Sequence, residues 1–161
     1  MRNSSGRVFY ALLASGFICS AGCGAAHPKA ASDAGPTFPP TPLQTVVSTS
    51  GKLHVAAFSS PQPPVTGTTP FQLLVTDAAG APVTGLQLNV EPWMPVMRHG
   101  TSVVPTVTEK GDGIYEVSDV YFTMIGEWTL TTTVSGPMAN SCGAATGAAD
   151  CFTVETNVGV D

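Results

Sequence analysis

Two thioethers and one imidazole fall within six residues of this chain, in the segment Trp93 to Gly100. Met94, Met97 and His99 supply them. Thioether sulfur is a soft donor that selects Cu(I), and imidazole binds both Cu(I) and Cu(II). The segment holds none of the carboxylates that calcium or magnesium would require. These residue types therefore predict a copper site.

The backbone around these residues decides whether their side chains converge. In extended backbone Met97 and His99 lie on the same side, and Pro95 bends the chain so that Met94 can join them. Met124, later in the chain, is a further candidate thioether. We expect one site at an end of the folded domain, with Met94, Met97, His99 and Met124 as its ligands.

Short stretches of alternating apolar and polar residues run from Thr45 onwards, separated by clusters of Gly, Pro and Asp. This pattern is typical of antiparallel strands. The predicted strands are Thr45 to Phe58, Phe71 to Thr76, Leu86 to Glu91, Val103 to Thr108, Ile114 to Tyr121, Glu127 to Val134 and Phe152 to Val158. About seven short strands favour an all-β fold, an immunoglobulin-like antiparallel β-sandwich.

The alternation also assigns faces on two of these strands. Inward positions are predicted for Leu86, Leu88, Val90, Trp128, Leu130 and Val134. Outward positions are predicted for Gln87, Asn89 and Glu91. Trp128, as the largest inward side chain, is expected to anchor the core.

The N-terminus has the layout of an export signal. Residues 1–7 carry two cations and no acid, and the apolar stretch that follows, 8–18, is too short to span a bilayer. Ser20-Ala21-Gly22-Cys23 resembles the lipobox of bacterial lipoproteins, which implies a signal peptide over 1–22 and a lipid on Cys23 that anchors the chain in a membrane. The alternative is cleavage by the general signal peptidase near Gly24. Both alternatives predict an envelope protein, facing the periplasm or the cell surface.

Residues 24–43 are rich in Pro, Ala and Gly, which predicts a flexible tether over 23–43 and a folded domain over 44–161. Removal of the signal leaves four basic residues against eleven acidic ones, a net charge of −7 with histidine neutral. Such a chain is a poor partner for nucleic acid.

Two cysteines, Cys142 and Cys151, remain once the signal is removed and Cys23 carries lipid. An even pair in an oxidising compartment predicts a disulfide. Closing so short a loop would contribute on the order of 2–3 kcal/mol.

Several motifs together resemble the YtkA-like domain family, over roughly Gly51 to Val134. They are Met94-Pro95-Val96-Met97-Arg98-His99-Gly100, then Pro105, Gly113-Ile114-Tyr115 and Phe122-Thr123-Met124-Ile125-Gly126-Glu127-Trp128. The resemblance implies a small exported β-sandwich that is similar to periplasmic copper-handling proteins. It places the family's Met-Pro-x-Met-x-His motif on Met94, Pro95, Met97 and His99, and its Phe-x-Met segment on Phe122 and Met124.

The sequence departs from that family pattern at two positions. Arg98 stands where a small residue is usual, and Ile125 stands where a proline is common. A fixed cation next to a metal repels it unless the side chain points away.

Two hypotheses of function follow. The first is a non-catalytic module that carries a copper ion to an acceptor protein of the envelope. The second is a metal-free immunoglobulin-like scaffold or interaction domain, in which flexible methionines fill the open end of a sandwich. His27 and His54 are weaker metal candidates, and the chain has no nucleophile elbow, phosphate loop or His-Glu-x-x-His motif that would predict an enzyme.

Overall fold

The computed structural model describes residues 35–135 and 150–160, and all regular structure within them is β. The strands in this part of the chain are β1 (Gln44–Val47), β2 (Leu53–Ser59), β3 (Gly67–Thr68), β4 (Phe71–Asp77), β5 (Gln87–Met94), β6 (His99–Gly100), β7 (Thr106–Gly111), β8 (Ile114–Ser118), β9 (Tyr121–Phe122), β10 (Gly126–Ser135) and β11 (Asp150–Val158). Over the same residues, no helix meets the length and apolarity that a membrane span requires. The predicted signal peptide, Cys23 and Cys142 lie outside the described residues.

The strands form two antiparallel sheets. One sheet has the order β1-β2-β4-β8-β7 and the other has the order β11-β10-β5-β6, while β3 and β9 form a separate short pair. Buried apolar residues of both sheets belong to one core cluster. The predicted all-β antiparallel sandwich is therefore confirmed.

The core follows the period-two pattern of the sequence. Trp128 on β10 is 1% exposed and is the largest fully buried side chain in the described residues. The other predicted inward positions are buried or packed against the core, namely Leu86, Leu88, Val90, Leu130 and Val134. Gln87, Asn89 and Glu91 are exposed, as predicted.

The predicted strand count is too low because two predicted strands are interrupted and because the short strands β3 and β6 were not predicted. Thr45 to Phe58 is not one strand: β1 and β2 pair with each other across a turn at residues 48–52. In that turn Gly51 has a φ of 73° and the Ser48 hydroxyl accepts the Leu53 N–H at 3.1 Å. The predicted strand Ile114 to Tyr121 breaks at Asp119, whose φ is 61°. The left-handed conformation of Asp119 turns the chain away from the extended path of β8.

The start of β11 is fixed by a buried carboxylate. Asp150 accepts the hydroxyl of Thr49 at 2.9 Å and the backbone N–H of Ser50 at 3.0 Å, and the Ser50 hydroxyl also donates to it. Burial raises the pKa of the Asp150 carboxyl, but the hydrogen bonds from Ser48, Ser50 and Thr49 outweigh burial and leave this pKa below its ordinary value of 3.8. The charged form of Asp150 therefore stabilises the fold.

Candidate metal centre

The hairpin of β5 and β6 positions the first candidate ligands. Met94 and His99 are paired residues of its antiparallel ladder. The four residues between them form a tight turn, closed by a hydrogen bond of 2.8 Å from the Arg98 N–H to the Met94 carbonyl. Arg98 takes a left-handed φ of 56° there. Paired residues of antiparallel strands project to the same face, so the side chains of Met94 and His99 are neighbours.

This turn corrects one expectation about the backbone. We expected Met97 and His99 to share a side in extended chain, but Met97 lies in the turn and not on a strand. Met94, instead of Met97, shares a face with His99. The reason is the left-handed conformation at Arg98, which is uncommon for residues other than glycine and which no residue type here signals.

The two methionines of this hairpin differ in their environment. Met94 is 6% exposed and belongs to the hydrophobic core, while Met97 is 55% exposed. The terminal methyl of Met94 lies 2.8 Å from the point that a Cβ on Gly126 would occupy. The absence of a side chain at Gly126 therefore makes room for the Met94 thioether.

The His99 ring lies against the core. Its centroid is 6.0 Å from that of Trp128, with the two planes at 82°, an edge-to-face contact. His99 Nδ1 is 3.0 Å from the Gly100 carbonyl oxygen. In the tautomer in which Nδ1 donates to that oxygen, Nε2 carries the free lone pair that a metal needs.

Met124 lies in the connection between β9 and β10 and is 36% exposed. Its carbonyl accepts a hydrogen bond of 3.0 Å from Trp128 Nε1. Trp128 thus contacts both His99 and the backbone of Met124. The sequence identified Trp128 as a core anchor but not this link, because only the fold brings β6 to the indole ring.

The charged groups near this end of the sandwich are not metal ligands of the predicted type. Arg98 is exposed and forms no salt bridge within the described residues. Glu127 and Glu155 line a pocket of about 440 Å³ that also touches Pro95 and Trp128, but none of the four candidate ligands lines it. These carboxylates were not anticipated, since one of them comes from β11, far away in the sequence.

Three of the four candidate ligands are thioethers, which are soft donors. Within residues 35–135 and 150–160, no group of three or more His, Cys, Asp or Glu side chains could hold a metal ion. A metal centre at this end therefore depends on thioethers together with the one imidazole of His99. His54, the weaker candidate, is exposed on β2 in the other sheet, and His27 lies outside the described residues.

The described residues thus form an antiparallel β-sandwich, with a methionine and a histidine paired at the end of the β5–β6 hairpin. The sequence model of the YtkA-like family matches residues 48–133, more than half of the chain. The chain belongs to the YtkA-like family. The predicted resemblance is therefore confirmed.

Among curated proteins, none matches this sequence. Among solved structures, the chain is similar to FetP of a uropathogenic Escherichia coli strain, with 12% identity, a TM-score of 0.48, and coverage of 79% of this chain and 100% of that chain. A copper-bound variant of FetP gives 12% identity, a TM-score of 0.42, and coverage of 71% and 91%. Likeness at this level does not transfer a metal site.

Proposed function

We propose that this protein is a non-catalytic copper-binding module of the bacterial cell envelope, which holds Cu(I) for delivery to an acceptor protein. Its ligands are Met94, Met97, His99 and Met124. The observation that carries the proposal is the pairing of Met94 with His99, whose ring contacts Trp128, while the Trp128 indole also donates a hydrogen bond to the Met124 carbonyl.

The donor chemistry supports copper over other metals. Thioethers select Cu(I), while zinc sites are built from thiolates, imidazoles and carboxylates, and calcium sites from oxygen ligands. The described residues offer no such cluster. The proposed role of the chain is to hold the Cu(I) ion.

The exposure of the ligands suits a carrier. Met97 and Met124 are open to solvent, so an incoming ion or an acceptor protein can reach them. Met94, in contrast, is packed in the core, so the proposed site would have one buried thioether donor. The Arg98 cation is exposed and therefore screened by water and salt, which reduces its repulsion of a metal.

Competition for Cu(I) tests this proposal. The purified protein is titrated anaerobically against a chromogenic Cu(I) chelator, and we expect one ion per chain with a Kd below about 1 μM. Met97→Leu and His99→Ala should each weaken binding by about tenfold or more, which corresponds to about 1.4 kcal/mol. His54→Ala, on the other sheet, is the matched control and should bind as the parent does. Failure of the parent protein to compete for Cu(I) would falsify the proposal.

A second function is favoured by the apolar surface at the same end. Val96, which precedes Met97 in the turn, is 72% exposed, and Ile125, which precedes Gly126, is 56% exposed. Clustered exposed apolar residues mark surfaces that bind other proteins. A metal-free scaffold domain would leave Cu(I) with the chelator in the titration above, yet lose its protein partner on Val96→Asp or Ile125→Asp.

The envelope location belongs to the proposal as well. Its support is the cationic, apolar and small-residue segment that ends at Cys23. Cells fed a fatty acid with a clickable tag should label this protein, and Cys23→Ala should abolish the label. Labelling that persists in Cys23→Ala contradicts a lipid at this residue.

The Cys142 to Cys151 disulfide also stays a prediction, because Cys142 is not among the described residues. Cys151 lies at the start of β11, with its Sγ 3.5 Å from the Thr49 hydroxyl. Alkylation of the denatured protein should modify these two thiols only after reduction. Modification before reduction would reopen the two cysteines as copper ligands.

A further inference from the structure

Trp128 contacts two of the candidate ligand residues, the ring of His99 and the backbone carbonyl of Met124. It is held from the core side by Phe122, whose ring centroid is 5.3 Å away at 68°, and Phe122 in turn contacts Phe71 at 6.1 Å. This aromatic row leaves Trp128 1% exposed. The indole ring is therefore a fixed surface inside a close-packed core.

Trp128 makes one contact with each of two candidate ligand residues. Its ring meets the ring of His99 edge to face, at 6.0 Å. Its Nε1–H donates to the Met124 carbonyl at 3.0 Å. His99 and Met124 come from different parts of the chain, and the Trp128 indole contacts both of them.

We propose that Trp128 is the positioning residue of the copper site, an inference that rests on the function proposed above. By fixing the imidazole of His99 relative to the backbone of Met124, the indole orients the nitrogen donor and fixes the point from which the Met124 side chain extends, before the metal arrives. Groups that orient metal ligands in this way typically change metal affinity by 10- to 100-fold when they are removed.

The decisive variant is Trp128→Phe, which keeps an aromatic ring but removes the donor to Met124. Ag(I), a redox-stable stand-in for Cu(I), and Cu(I) itself are titrated against competing chelators. We expect the affinity of Trp128→Phe to fall by about tenfold or more. Trp93→Phe is the matched control, because Trp93 is half-exposed on the opposite face of β5, and it should bind as the parent does.

A second variant that destabilises the core elsewhere distinguishes a positioning role of Trp128 from a general loss of stability. Val154 is buried on β11, at the opposite edge of the sheet from β6 and His99, and Val154→Ala should destabilise the core there. If Trp128→Phe and Val154→Ala lose the same affinity at matched stability, the positioning role is overturned. In the metal-free protein, the ¹³C-methyl resonance of Met124 should shift in Trp128→Phe and stay in place in Val154→Ala.

Should Trp128→Phe fail to fold, Trp128 is replaced by benzothienylalanine, which preserves the shape of the ring and replaces only the N–H by sulfur. The same loss of affinity is expected. Parent-like affinity in this variant or in Trp128→Phe overturns the inference and leaves the proposed copper function standing. Absence of metal binding by the parent protein overturns both.

Discussion

Met94 and His99 lie directly opposite each other in the ladder between β5 and β6, yet only Met94 belongs to the core. The last residue of β5 therefore has a packing role and a candidate ligand role at once. His99 is half-buried and rests on Trp128. Variants at this end have to separate the effect on stability from the effect on metal binding.

The two methionines of the hairpin should differ sharply when they are truncated. Met94→Ala should lower the free energy of unfolding by about 2–5 kcal/mol, because a buried side chain leaves a cavity. Met97→Ala should change it by less than about 0.5 kcal/mol, because Met97 is exposed. Urea unfolding followed by Trp fluorescence measures both. Equal losses in the two variants would be incompatible with an exposed turn at Met97.

Leucine variants at the same two positions test whether the sulfur atoms bind Cu(I). Met94→Leu and Met97→Leu conserve volume, so each should cost less than about 1.5 kcal/mol of stability. Both should nevertheless weaken Cu(I) binding.

Gly126 is expected to be sensitive to a single methyl group. It has a φ of 125°, and a Cβ there would lie 2.8 Å from the terminal carbon of Met94. Gly126→Ala should therefore lower the free energy of unfolding by about 1–3 kcal/mol and also weaken Cu(I) binding, since it displaces the Met94 thioether. Gly159→Ala is the control, because a Cβ there meets no atom within 4 Å. A parent-like Gly126→Ala protein would show that this contact does not hold Met94 in place.

Acidification should weaken the fold through Asp150. Its folded-state pKa lies below the ordinary 3.8, so the stabilisation is fully present above that value and is lost as the pH falls through the folded-state pKa. Urea unfolding at a series of pH values from neutral down to the acid range measures this loss. Asp150→Asn should be less stable than the parent at neutral pH and should show a flatter acid decline.

Asp112→Asn is the matched control for that experiment. Asp112 lies in the exposed turn between β7 and β8, with a φ of 51° that asparagine tolerates well. We expect it to keep the acid decline of the parent. An equal flattening in Asp112→Asn would remove Asp150 as the cause.

Much of the sandwich could be predicted from the sequence, because strand alternation depends on local patterning. Leu86, Val90 and Trp128 are buried where the pattern puts them. The turn at residues 48–52 carried a visible signal in Ser50-Gly51, and the prediction of one long strand there overlooked it. Local signals of this kind are legible in a single sequence.

The geometry of the candidate site was less predictable, for a physical reason. The left-handed Arg98, which takes Met97 off the strand, has no signature in its residue type. The contact of His99 with Trp128 joins β6 to β10, and it exists only after both strands have taken their places in one sheet. The residue types indicated which ligand chemistry to expect. Which of these residues are neighbours became clear only from the folded structure.

The nine paired positions of β10 and β11 run from Gly126 opposite Val158 to Val134 opposite Asp150, and Asp150 is tied to the turn at Thr49 and Ser50. The described residues on either side of segment 136–149, Ser135 and Asp150, thus both belong to strands of this sheet. Doubling the length of such a connection costs only about 0.6 kcal/mol of closure entropy. We therefore expect a peptide epitope or fluorescent reporter grafted between Ser135 and Cys142 to leave the ladder intact.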